Sequence, residues 1–76
     1  MNKERRGRIE EAQLLLDQAR SIIEEVKEQE EEAFENMPES LQYSERGERM
    51  EEICETLDDV LDNIDSATDS LNECLE

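Results

Sequence analysis

Apolar residues recur at helical spacing through two long stretches of this chain. In the second stretch, with Met50 at heptad position a, the a and d columns read Met50, Ile53, Leu57, Val60, Ile64, Ala67, Leu71 and Cys74 without a break, and Cys54, Leu61 and Leu75 widen the stripe at e. In the first, with Ile9 at a, the columns read Ile9, Ala12, Leu16, Ala19, Ile23, Val26, Glu30 and Ala33, with Leu15 and Ile22 at g and Glu30 as the one break. The spacing predicts two amphipathic helices, over residues 3–35 and 45–75, in a single domain spanning 1–76.

Residues 36–44 are expected to form the loop between them. Pro38 cannot continue a helix and biases Met37 away from helical angles. Ser44 suits the N-cap of the second helix, with Glu45 and Glu48 in its first turn, where the helix dipole favours acids. Gly47 looks like an imperfection in that turn. Leu41 and Tyr43 are expected to fold back over the end of the core, with recognition of a partner as the alternative.

So short a connection predicts an all-α fold, an antiparallel two-helix hairpin of coiled-coil type. Matching the two seams pairs Ala33 with Met50, Val26 with Leu57, Ala19 with Ile64, Leu16 with Ala67 and Ala12 with Leu71. Several layers set a large residue against a small one, as close packing requires. Two helices do not enclose a core, however. Leu14, Leu15, Ile22, Cys54, Leu61 and Leu75 are expected beyond the mutual seam. Full burial of a Leu or Ile is worth about 1.5–3 kcal/mol. Leu15, Ile22, Leu61 and Leu75 are therefore the expected oligomerisation surface, closing a homodimeric four-helix bundle or receiving a helix of another protein.

Charge narrows the partners. The chain holds 24 acidic residues against 8 basic ones, a formal charge of −16, and no Lys or Arg follows Arg49. Phosphates would be repelled over most of such a surface, so neither free nucleic acid nor an anionic membrane is an expected partner, whereas a protein with a basic surface is. A charged fraction of 42% with one Phe, one Tyr and no Trp has the composition of a disordered chain, but the periodicity argues for folded helices. Leu14-Leu15-Leu16 is ended by Asp17, so neither a signal peptide nor a transmembrane span is expected, and a cytoplasmic location follows. Cysteines there stay reduced. Cys54 and Cys74, about 30 Å apart along one helix, cannot bridge within the chain.

Little chemistry is on offer. There is no His, which removes the usual general base and most transition-metal sites. Gly7 and Gly47 are isolated, two lone cysteines make no zinc site, and no calcium-loop motif occurs. No catalytic residue, metal ligand or cofactor is expected, and the two cysteines are expected in the core. The acidic rows remain. Glu51, Glu55, Asp58, Asp62, Asp65 and Asp69 recur every three or four residues, placing a carboxylate about every 5–6 Å along one side of a rod, and Glu28, Glu31 and Glu32 extend the field. DNA phosphates recur on a similar scale, so such a row can occupy a nucleic-acid-binding surface of a protein. Any amphipathic acidic helix gives rows of this kind, and a merely solvated face is the plainer explanation. Against it stands the cost of like charges at i, i+4 with no base after Arg49 to offset them.

The run Asn36-Met37-Pro38-Glu39-Ser40-Leu41-Gln42-Tyr43-Ser44-Glu45-Arg46-Gly47-Glu48 resembles short acidic proteins of bacteria, phages and prophages, which carry N-x-P-E-x-L-Q, then S-E-R and a second acidic amphipathic helix. The likeness covers the middle third of the chain. It implies a helical hairpin and a mobile-element origin, with host cytoplasm as the site of action, but no activity. In outline the chain is also similar to phage-encoded DNA mimics, small acidic inhibitors, by composition alone. The resulting expectation is a non-enzymatic acidic protein that occludes a basic surface of a host defence or DNA-processing factor, or else a structural module that binds partner helices through its apolar stripe.

Overall fold

A computed structural model describes all 76 residues, and the chain is all-α. Helix α1 spans Lys3–Glu35, a single-turn α2 spans Glu39–Gln42, and α3 spans Glu45–Leu75. The Asn2 side chain caps α1 by accepting from the Arg5 amide at 2.8 Å, and Ser44 caps α3 by accepting from the Gly47 amide at 3.4 Å. No helix is long and apolar enough to cross a membrane.

α1 and α3 lie side by side in a body measuring 58 × 15 × 13 Å between Cα atoms. Gln13 Nε2 donates to Asn72 Oδ1 at 2.6 Å, Arg20 Nε to Asp65 Oδ1 at 2.7 Å, and Lys27 Nζ meets Asp58 Oδ1 at 2.5 Å. Each step of seven up α1 is thus matched by a step of seven down α3. At the open end the Arg6 guanidinium donates to the Leu75 carbonyl, one of the acceptors that a helix end leaves without an intrahelical partner.

The seam differs from the expected a/d stripe. Both helices turn toward e: Gln13, Arg20, Lys27 and Phe34 on α1, and Cys54, Leu61, Thr68 and Leu75 on α3, are buried or half-buried, while Val26, Ala33, Ala67 and Cys74 are exposed. Leu61, expected on the outer stripe, is the one buried hydrophobic residue, 8% exposed, and Leu75 is half-buried. The cause lies in the d column of α1, where Ala12, Ala19 and Ala33 offer little to pack. The stems of Arg20 and Lys27 offer more apolar length at e, and they reach Asp65 and Asp58, which bracket Leu61 by one turn on either side.

The connection is more ordered than a plain loop. Pro38 starts α2, and the turn carries Gln42 inward, where its Nε2 donates to the carbonyls of Phe34 at 3.1 Å and Met37 at 3.2 Å. Leu41 and Tyr43 do not cover the helix ends, being 48% and 78% exposed. Gly47 is no imperfection: a Cβ there would stand 2.2 Å from the Gln42 carbonyl oxygen, so only glycine allows α2 to sit this close to α3.

Candidate functional site

The sequence-designated carboxylates fall into two groups. Asp58, Asp65 and Glu31 are engaged by bases of α1: Lys27 bridges Asp58 and Glu31, and Arg20 holds Asp65 with two donors at 2.7 and 3.2 Å. The Arg20 hydrogen bond holds the Asp65 carboxyl below its ordinary value, and the hydrogen bonds that Lys27 donates to Asp58 and then to Glu31 raise its own. Glu51, Glu55, Asp62, Asp69, Glu28 and Glu32 form no ion pair, and all are exposed.

The double acidic row is consequently sparser than its spacing suggested. Two of its six members look across at α1 rather than outward. Three of its four unpaired members, Glu55, Asp62 and Asp69, are seven residues apart in the f column, about 10 Å from one to the next. Glu28 and Glu32 lie on α1 and broaden the field instead of prolonging the row.

Toward the connection the ladder of cross-helix polar pairs stops. The next step of seven after Lys27 and Asp58 brings Phe34 level with Glu51, and there an open cavity of about 290 Å³ forms between the helices. Glu31, Phe34, Glu35, Glu51, Cys54 and Glu55 line it. Four carboxylates around one aromatic ring suit an ammonium or guanidinium group, by charge and by attraction to the ring face. No group of three or more His, Cys, Asp or Glu is arranged to hold a metal ion.

No protein-family model, curated protein or solved structure matches the chain. Phe34 and Glu35, which the sequence did not single out, share the cavity with Glu51 and Glu55, which it did. The signal that would have found Phe34 is its place in the e column with Gln13, Arg20 and Lys27.

The cysteines part company. Cys74 is exposed, against the expectation of a core position, because the seam has turned away from the d column. Cys54 is half-buried on the cavity wall, where burial first, and then the charges of Glu31 and Glu30, push its thiol upward. Such a thiol is a poor nucleophile at neutral pH.

Opposite the cavity side lie the d and g columns. Leu15, Ile22 and Val26 are 58%, 60% and 46% exposed there, whereas Leu61 and Leu75, assigned with Leu15 and Ile22 to one oligomerisation stripe, lie on the closed side.

Proposed function

We propose that this protein is a non-enzymatic interaction module, an antiparallel two-helix hairpin whose acidic outer side covers a basic, nucleic-acid-binding surface of another protein as a DNA mimic does. One observation carries the proposal: after the ion pairs of Arg20 and Lys27 are formed, Glu51, Glu55, Asp62 and Asp69 still present unpaired charge along α3, in a chain of formal charge −16. Glu28 and Glu32 add to that field from α1, and Glu31, Asp58 and Asp65 contribute less because each already has a base beside it. The cavity at the connection end suits a Lys or Arg side chain of the partner between Glu51 and Glu55. The likeness of the connecting segment to acidic proteins of phages and prophages is what suggests a host defence or DNA-processing factor as the partner.

A second reading has an observation of its own. Leu15, Ile22 and Val26 stand exposed on one side, so an assembly module working through apolar contact is the alternative.

Capture from a bacterial lysate with wild type and with the triple variant E55K/D62K/D69K separates the two. The proposal expects a basic nucleic-acid-binding protein that wild type retains at low salt and releases at high salt, that the triple variant does not retain, and whose nucleic acid wild type displaces. Equal capture by both proteins, unaffected by salt, would overturn it in favour of the apolar side.

A further inference from the structure

Charge is not spread evenly along the rod. In the register set by the contacts of Gln13 with Asn72, Arg20 with Asp65 and Lys27 with Asp58, residues 28–35 of α1 lie beside residues 50–57 of α3. These 16 positions hold eight glutamates and not one Lys or Arg, which is half of the formal charge of −16. The first eight residues of the chain, at the other end of the rod, hold four bases and one acid.

Of the two helices, α1 bears the strain. Glu28 with Glu32 and Glu31 with Glu35 are like charges at i, i+4, a spacing at which they oppose helix formation. They stand in the closing turns of a helix whose last turn has no base, where the dipole disfavours acids. α3 begins at this end instead, with Ser44 as its cap and acids favoured in its first turn. Packing compensates α1 less here than elsewhere. Glu30 is half-buried in the a column, which holds Ile9, Leu16 and Ile23 in the earlier turns, and it forms no ion pair. The open cavity lies between the helices at the level of Phe34 and Glu51. No polar pair joins α1 to α3 beyond Lys27, and the Gln42 amide ties only the Phe34 and Met37 carbonyls, to α2.

We infer that residues 28–35 form a cation-controlled segment, whose turns unfold locally when their carboxylates are unscreened and close onto α3 when cations neutralise them, while residues 3–27 and α3 stay helical. Cations that collect on the closed end more than on the open one shift the segment toward closure. Glu31, Phe34 and Glu35 supply one wall of the cavity, so that wall is complete only when cations are present. The inference does not rest on what the acidic side binds, because simple salt serves as the cation.

Amide hydrogen exchange resolved by NMR, at one pH and in about 0.01 M and about 1 M sodium chloride, tests it. The amides of residues 32–36 bond to carbonyls of residues 28–32, and those of residues 17–27 serve as the reference. At low salt the first set is expected to be less protected than the second by roughly tenfold or more, and at high salt most of that gap is expected to close. Glu28→Gln with Glu32→Gln, both exposed and without an ion pair, is expected to narrow the gap already at low salt. Asp62→Asn with Asp69→Asn removes as many charges from exposed, unpaired positions farther along the rod, and is expected to leave the gap within about twofold of wild type. Equal protection of both sets at low salt would overturn the inference. A gap that salt does not narrow would also overturn it, as ordinary fraying of a helix end. Equal effects of the two double variants would do the same, by spreading the repulsion over the whole rod.

Discussion

The backbone carbonyl of Gln42 stands where a side chain on Gly47 would begin, 2.2 Å from the position a Cβ would take. Since the listener to that clash is backbone and not the tip of a flexible side chain, Gly47→Ala must push α2 off α3. The substitution improves helix propensity by about 1 kcal/mol, yet overpacking of this kind costs about 1–3 kcal/mol. Gly7 is the control, because a Cβ there meets nothing within 4 Å. Thermal unfolding followed by circular dichroism is expected to show a lower Tm for Gly47→Ala and a higher one for Gly7→Ala. Equal shifts of one sign would mean that propensity, not the close approach, decides both positions.

Gln42 joins α2 to the end of α1 through two hydrogen bonds from one nitrogen, to the carbonyls of Phe34 and Met37. The Phe34 carbonyl, in the last turn of α1, also accepts from the Met37 amide at 3.1 Å, and Met37 follows the helix end. Gln42→Leu keeps the apolar part of the side chain and removes both bonds, at an expected cost of about 1–2 kcal/mol. Urea unfolding is the measurement, and an unchanged midpoint would show that water replaces the amide without loss.

The periodicity of 3.6 made the two long helices legible, and Pro38 and Ser44 marked where one ends and the other begins. What it could not convey was rotation about the helix axes. A heptad pattern treats Lys27 and Arg20 as polar and therefore outward, yet both have long apolar stems and a carboxylate within reach on α3. That moved the seam toward e, which took Leu61 inside and Cys74 outside. Gly47 was misjudged for a related reason, since its neighbour Gln42 is set by α2, a turn too short to leave a periodic trace. Which of the candidate carboxylates face a base depends on that same rotation.

The Arg20 hydrogen bond lowers Asp65 from its ordinary value of 3.8. A carboxyl depressed by folding contributes stability that is present above the unfolded value and is lost as the pH falls through the folded one. The stability gap between wild type and Asp65→Asn is therefore expected at pH 7 and is expected to close below pH 3.8. Lys27 is raised above 10.5, so its contribution is present below that value and is lost as the pH rises beyond it. Denaturation midpoints of wild type, Asp65→Asn and Lys27→Met across the pH range check both signs. A gap for Asp65→Asn that widens in acid would contradict the assignment of Arg20 as its partner.

Self-repulsion sets the last expectation. At a formal charge of −16, most carboxylates of this chain have like charges one turn away, which opposes helix formation. The Debye length falls from about 30 Å at 0.01 M salt to about 3 Å at 1 M, so added salt relieves that repulsion along the whole rod. The ion pairs of Arg20 and Lys27 weaken at the same time, but they are two bases in a chain of formal charge −16. The Tm is therefore expected to rise with salt. In E55K/D62K/D69K each reversal adds two charges, which takes −16 to −10, and the rise is expected to be smaller from a higher starting Tm. Thermal scans of both proteins in a salt series provide the check. If the triple variant is the more stable protein and still fails to hold the partner, its loss of binding reports on the acidic field and not on unfolding; a variant that unfolds earlier than wild type would contradict the repulsion argument itself.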